Sequence, residues 1–388
     1  MPSTEAIARV RDQALEVARG WSGDGAPGTW RLTAALFEAV AHDEHLAAAA
    51  AGIPPDRLPA LLFVAAVQYV VARHPDDPLA AYYPAAGVEG RAVDDQLVGR
   101  LRSFCADHRD ELTAAWSSHR YQMNEVARCT QVALALGVLQ RRAPGRELAL
   151  VDAGTGCGLG LFPDRYAYSL VHRVDSATAF GSSTSAVRIA CQVDGELRPE
   201  PPGDLSITVR LGLDADPIAL DDPEARAWLA ACSPPAADAQ ARLRAGVEVV
   251  RAARPSIVRG DVLEALPALV DDLPGDLLVA VVDTYTAVFL DHDGQAQLHA
   301  TLRERGATRD LAWISLDPLV PLGTEARSSV QGVPVPDALV TRNRQGGVFA
   351  LLAMVTHLDG RTSTDLLATA HPSGTRMTWL DPATAISG

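Results

Sequence analysis

Lysine is absent from this sequence: all 34 basic residues are arginine. Without an ε-amine the chain cannot form the Schiff base of pyridoxal phosphate enzymes, and it cannot complete a Walker phosphate loop. Cysteine is scarce. The five present, Cys105, Cys129, Cys157, Cys191 and Cys232, are widely spaced with no C-x-x-C pair, which argues against a zinc ribbon and for reduced, buried thiols. No two histidines have metal-ligand spacing, so no metal is expected. No G-x-S-x-G elbow offers a hydrolase nucleophile. Long apolar runs are also missing: the most apolar stretch, Leu58 to Ala72, is interrupted by Gln68 and is shorter than the roughly 20 residues of a membrane span. The N-terminal Met-Pro-Ser-Thr-Glu lacks a positive segment followed by an apolar run, so a cytoplasmic location is expected.

What is present is globular and acidic. Apolar residues make up 48% of the 388 and charged residues 21%, with a net charge of −14. That charge repels phosphate backbones and anionic lipid heads, and no basic stripe offsets it. A small-molecule substrate is expected, with neither nucleic acid nor membrane as partner. The length exceeds the roughly 250 residues at which one core stops growing, so two domains are expected.

From Ser3 to about Arg142 apolar residues recur at spacings of three and four, as in Ile7, Val10, Ala14, Val17 and Trp21. This predicts a helix along that stripe and further helices over 29–41, 56–72, 93–116 and 120–141. At Ala143-Pro144-Gly145 the texture changes to short apolar runs alternating with helical stretches, the pattern of a parallel sheet with crossover helices. Strands are predicted at Leu148–Asp152, Ile207–Asp214, Ser256–Gly260, Leu277–Asp283, Leu311–Ser315 and Val348–His357. The long insertion 171–203 should carry a β-hairpin, Ala186–Val193 with Glu196–Arg198, turning at Asp194-Gly195. The division expected is a helical N-terminal domain, 1–143, followed by an α/β domain, 144–388.

The sharpest local signal is Asp152-Ala153-Gly154-Thr155-Gly156-Cys157-Gly158-Leu159-Gly160 after an apolar strand. Alternate glycines let the backbone turn tightly and approach a ligand closely. The dinucleotide spacing G-x-G-x-x-G fails, because Leu159 stands three after Gly156. Asp152, Gly154, Gly156 and Gly158 satisfy acid-x-Gly-x-Gly-x-Gly instead, which resembles motif I of class I methyltransferases. In that family the motif surrounds the methionine part of S-adenosylmethionine. Asp214, closing the second strand, is the candidate for the ribose hydroxyls, and Asp261, after the third, for the adenine amino group. Each is otherwise a loop cap.

Ligands on such sheets sit beyond the carboxyl ends of the strands, which makes Asp283 and Tyr285 catalytic candidates. The alternative for Asp283 is a helix N-cap beside a packed aromatic. Asp164, Arg165 and Tyr166 follow the glycine turn and are read either as substrate-binding or as an internal salt bridge with core tyrosines. On the predicted helix from Arg120, Gln122, Glu125 and Cys129 share one face while Asn124 and Arg128 share the next. Gln122, Asn124 and Arg128 are substrate-binding candidates and Glu125 a catalytic one, unless that face is simply solvated.

The whole chain resembles a bacterial family of unassigned function, domain of unknown function 2332. The resemblance rests on Tyr82-Tyr83-Pro84, on Arg120 to Cys129, on the glycine turn through Asp164-Arg165-Tyr166, on Arg210 to Asp214 with Pro217, and on Trp228-Leu229, Arg242-Leu243 and Gly260-Asp261. The family differs at two places, with Asn where Gly160 stands and His where Tyr285 is aligned. The combined expectation is an α/β fold: a Rossmann-like, class I methyltransferase-type, mostly parallel sheet with a β-hairpin insertion, behind an all-helical domain. The expected activity is an S-adenosylmethionine-dependent transferase methylating a small molecule. Aminopropyl transfer or cyclisation of the same cofactor, and a non-catalytic nucleotide-ligand-binding protein, are the alternatives.

Overall fold

The computed structural model describes residues 2–23, 26–85, 88–173, 176–319, 329–330, 333–344 and 349–380. The chain divides into two compact units, Met1–Glu125 with Ala219–Arg244, and Val126–Ile218 with Ala245–Gly388. The division at 125/126 precedes the expected 143/144, and a later segment joins the first unit.

The first unit begins with α1 (Thr4–Ser22), α2 (Arg31–His42), α3 (Glu44–Ala50), α4 (Pro59–Val71), α5 (Leu97–Asp107) and α6 (Arg109–Ser118). Ser3 caps α1 by accepting the Ala6 N–H at 3.2 Å, and Val10, Ala14 and Val17 of the predicted stripe are buried. The single helix expected over 93–116 breaks at His108 into α5 and α6. The helix expected from Arg120 does not form there: residues 120–125 are irregular, and the chain becomes helical through a 3₁₀ turn at Val126–Arg128. The segment's backbone has tertiary partners instead, since Trp228 Nε1 donates to Arg120 O at 2.7 Å and the Cys232 thiol takes a backbone hydrogen bond from Gln122. The helical reading that placed Gln122, Glu125 and Cys129 on one face is therefore corrected.

The second unit starts with α7 (Cys129–Arg142), which precedes β1 (Leu148–Ala153), β2 (Ala167–Arg173), β3 (Ser176–Gly181), β4 (Arg188–Asp194) and β5 (Ile207–Asp214). The chain then passes through α8 (Pro223–Ala231) in the first unit, and the division falls within α9 (Ala237–Ala253). There follow β6 (Ser256–Arg259), α10 (Val262–Asp271), β7 (Leu278–Thr284), α11 (His292–Gly306), β8 (Leu311–Pro318), β9 (Ser329–Val330), β10 (Val333–Pro334), α12 (Asp337–Arg344), β11 (Ala350–Leu358), β12 (Arg361–Ala370) and β13 (Arg376–Trp379).

Among the described residues an eleven-stranded sheet forms in the order β3-β2-β4-β13-β12-β11-β8-β7-β1-β5-β6. The run from β8 through β7, β1 and β5 to β6 is parallel, whereas β11 is antiparallel to both β8 and β12. This is an α/β fold with a largely parallel mixed sheet. Strand β1 is buried at every residue because both faces are covered. Leu148 and Leu150 pack with Val132, Leu134, Ala135, Leu136 and Leu139 of α7, while Ala149 and Val151 pack with Leu266 and Val270 of α10 and Leu298 and Leu302 of α11. Burial of α7 against the strands is why it belongs with the sheet.

Strand β5 has the predicted bounds, and the other predicted strands lie within a few residues of theirs; Val348, the predicted start of the last, lies outside the described residues. The predicted hairpin is misplaced. Strand β4 pairs in parallel with β2 and β13, residues 196–198 form no strand, and the antiparallel pair within this region is β2 with β3. Among the described residues between β1 and β5 there is no α-helix, and the helical turns are 3₁₀ turns at Leu159–Leu161 and Pro163–Arg165. Gly160 and Pro163 disfavour a helix there, and Tyr168, Val171 and their neighbours favour a strand. No helix of the described residues is long and apolar enough to cross a membrane.

Candidate functional site

The parallel register brings the carboxyl ends of β1, β5, β7 and β8 to one edge. Ala153 is opposite Leu213 and Asp283, and Asp283 is opposite Ser315. Gly154, Gly156 and Gly158, at φ of 77°, 57° and 91°, wrap the turn after β1 in the left-handed region that glycine tolerates. At Gly154 the requirement is double, because a Cβ would also overlap Thr286 Oγ1, which donates to Ala153 O at 2.9 Å.

The amides of Gly154, Thr155, Gly156 and Gly158 are already used inside the protein. Leu213 O accepts from Gly154 N at 2.7 Å and Thr155 N at 3.1 Å, and Thr155 O accepts from Gly158 N at 2.9 Å. Asp214 Oδ2 accepts from Gly156 N at 2.7 Å, and its Oδ1 accepts from Asp216 N at 2.8 Å. An oxyanion cradle of backbone N–H groups is thus not available at these positions, and no α-helix N-terminus follows the turn. The pyrophosphate mode of dinucleotide binding does not fit.

Asp152 lies beneath the turn. It accepts from Thr155 Oγ1 at 2.7 Å, and a Cβ on Gly160 would run into its carboxylate. Burial pushes the Asp152 carboxyl up to about 7; the Thr155 hydrogen bond opposes that shift, and the charges of Asp214 and Asp283 add to it. Asp214 and Asp283 therefore bear on Asp152 within one acidic, poorly solvated locus.

Asp283 is only 1% exposed. Trp313 Nε1 donates to its Oδ2 at 2.9 Å and Ala287 N to its Oδ1 at 3.3 Å. These contacts tie Asp283 to a packed aromatic and to the backbone of the turn that follows β7. Two residues on, Tyr285 has a φ of 59°, uncommon for a bulky side chain. The Arg128 guanidinium sits 3.8 Å above its ring, and the buried phenol oxygen has no hydrogen-bond partner. Burial pushes that phenol up to about 12, with Arg128 opposing and Asp317 adding. Arg128 is itself fixed by Nε donating to Pro372 O at 2.8 Å.

Other expected site residues lie elsewhere. Asp164 receives both Arg210 terminal nitrogens at 2.8 and 2.7 Å, and Tyr166 is fully buried with its hydroxyl on Leu159 O at 2.8 Å. Both are tied into the fold by these contacts, and exposed Arg165 lies over the Phe162 ring. Asp261 is exposed and caps α10 by accepting from Leu263 N at 2.8 Å. In the first unit the Glu125 carboxylate lies 3.6 Å from Arg242, which also pairs with Asp238 at 2.8 Å, and Asn124 Nδ2 donates to Gln122 O at 3.3 Å.

The sequence reading missed Thr155, Ser315 and Asp317. Ser315 Oγ donates to Asp317 Oδ2 at 3.1 Å, and both residues are buried. The signal for Asp317 was an acid closing the apolar strand Leu311 to Leu316, the same signal that identified Asp152 and Asp214. Away from these strand ends, a cavity of about 230 Å³ is lined by His299, Arg303, Trp313, His357, Thr362 and Thr364, none of them an expected site residue.

A glycine turn ringed by strand-end carboxylates on a largely parallel mixed sheet defines an α/β protein with a candidate small-ligand site at the carboxyl edge. The chain belongs to the family described as "Uncharacterized protein conserved in bacteria (DUF2332)", whose model matches residues 11–379. No curated protein matches it.

Proposed function

We propose that the second unit binds S-adenosylmethionine and that the protein transfers its methyl group to a small molecule. The observation that carries this reading is the group of three acids, Asp152, Asp214 and Asp283, around a turn whose Gly154, Thr155, Gly156 and Gly158 amides are already used. Such a locus repels phosphate and favours a cation, and S-adenosylmethionine carries both a sulfonium and an ammonium group. Bound there, the cofactor supplies a methyl group that a nucleophile takes from sulfur by direct displacement.

The chain's own contribution is position and field. Gly154, Gly156 and Gly158 give close backbone approach, Asp214 takes ribose hydroxyls from its fixed place at the end of β5, and Asp261 stands beyond β6 for the adenine amino group. Tyr285, with Arg128 stacked on it, holds a buried, unpartnered hydroxyl at the same strand edge, which a side-chain shift would turn to an acceptor. Alignment of nucleophile, methyl carbon and sulfur accounts for most of the rate in such a reaction, so no covalent nucleophile is required.

The test is calorimetric titration of the full-length protein with S-adenosylmethionine, with Asp214→Asn and the ligands NAD and ATP run alongside. Micromolar binding that falls at least about tenfold in the variant, roughly 1.4 kcal/mol, with NAD and ATP silent, is the expected result. No binding by folded protein would overturn the reading. A second reading, a non-catalytic binding protein, is favoured by one observation: Asp152, Asp214 and Asp283 each already hold hydrogen bonds within the fold. Tight binding without S-adenosylhomocysteine formation across a panel of amine, hydroxyl and carboxylate acceptors is its signature.

A further inference from the structure

Within the first unit, and independently of the site proposed above, His74 meets His108 and Glu111, which lie 34 and 37 residues further along the chain. His74 follows the end of α4, with its N–H on Val71 O at 3.0 Å. His108 is the residue at which α5 gives way to α6, and Glu111 lies in the first turn of α6. His74 Nε2 is 3.0 Å from Glu111 Oε2, and His108 Nδ1 is 2.9 Å from Glu111 Oε1. One ligand atom from each residue lies within 4.8 Å of the others. The imidazole centroids are 4.0 Å apart, and Phe104 packs beside both rings.

Two ordinary explanations account poorly for this cluster. In a capping box the glutamate reaches back to the N-cap backbone N–H, but the His108 N–H is already held by Phe104 O at 3.0 Å. A surface ion pair needs one imidazole, and holding two rings on one carboxylate costs side-chain entropy for little gain.

We propose that His74, His108 and Glu111 bind a divalent transition-metal ion of the zinc class. Tetrahedral zinc with bonds of about 2.0–2.2 Å holds its ligand atoms roughly 3.3 Å apart. The observed N···O separations of 2.9 and 3.0 Å are close to that span, so the ion takes the place of the two bridging protons with small side-chain shifts. Two imidazoles with one carboxylate suit zinc, whereas calcium and magnesium take oxygen sets. Side-chain exposures of 32% for His74, 18% for His108 and 47% for Glu111 leave an approach for a fourth, water ligand. The neighbouring cation, Arg73, is engaged by Glu224 Oε1 at 2.6 Å and by Tyr69 O at 2.9 Å. Since His74 is attached to the end of α4 and the other two ligands to the α5–α6 junction, a bound ion ties these helices together and stabilises the folded state.

The test uses tag-free, full-length protein stripped with chelator and titrated with zinc chloride, followed by calorimetry and thermal melting, with Co²⁺ absorption as a probe of coordination. The expected result is one ion per chain, a raised Tm and a tetrahedral Co²⁺ spectrum. His108→Ala and Glu111→Gln each weaken binding by more than about 100-fold, since a ligand matters more than the groups behind it, while His45→Ala at an exposed position changes nothing. Glu111→Gln retains hydrogen bonding to the imidazoles, so a folding defect does not mimic the loss. Absence of binding, or zinc binding unchanged in both ligand variants, overturns the proposal.

Discussion

At Asp152 burial and the charges of two neighbouring carboxylates act in the same direction, which gives the residue a readable pH signature. The carboxyl is raised from 3.8 to about 7 in the folded protein. A raised acid holds its proton in the folded state over a range where the unfolded chain has lost it, so its contribution is full below pH 4 and disappears as pH rises to 7. Asp152→Asn, which cannot ionise, is therefore expected to raise Tm relative to wild type more at pH 8 than at pH 5; a pH-independent difference would refute the assignment. On the proposed function, a cationic ligand favours the ionised form, so S-adenosylmethionine affinity should rise between pH 6 and 8 with proton release on binding. Titration in buffers of different ionisation enthalpy measures that release. Gly160 adjoins the same carboxylate, and Gly160→Ala should destabilise by about 1–3 kcal/mol in denaturant unfolding, the usual effect of overpacking.

At the scale of elements, the turn after β1 is held by β5 rather than by a helix of its own. Arg210 on β5 ties the following segment, donating to Leu161 O at 2.5 Å as well as to Asp164. Its side chain is 14% exposed, so removing it leaves a largely shielded carboxylate without its cation. Arg210→Ala should lower stability by roughly 1–3 kcal/mol. If Asp164 is structural, the same variant leaves ligand affinity unchanged once folded, and a large affinity loss by calorimetry would restore Asp164 to the site. Trp313→Phe tests the other anchor: deleting the donor to buried Asp283 should cost a similar amount and lower Tm.

At the scale of the whole molecule, the thiols follow from the cores. Burial pushes Cys105, Cys157, Cys191 and Cys232 up to about 12, and all five cysteines are free. Ellman's reagent at pH 8 should label native protein slowly and all five cysteines rapidly in guanidinium chloride. Fast labelling of the native state would show that these cores open.

Much of this architecture was legible in the sequence wherever one element makes its own pattern. The stripe of α1, the apolar run of α4 and strands β1, β5, β6, β7 and β8 are recorded in periodicity and composition. The glycine turn, with acids closing β1 and β5, was equally readable, because positive φ and strand termination are local requirements. Strands β2, β3, β12 and β13 were missed, and β4 was anticipated at Ala186–Val193 but given the wrong partner, because its pairing with β13, far along the chain, leaves no local mark.

Local sequence, then, determined which segments are apolar, where the chain turns and which acids stand at strand ends. Only the tertiary structure decided that Asp283 is tied to Trp313, that Asp164 belongs to Arg210, that 120–125 is not helical, and that His74 meets His108 and Glu111. Those outcomes depend on which distant donors and acceptors reach a side chain once water is excluded, and no spacing along the chain encodes that.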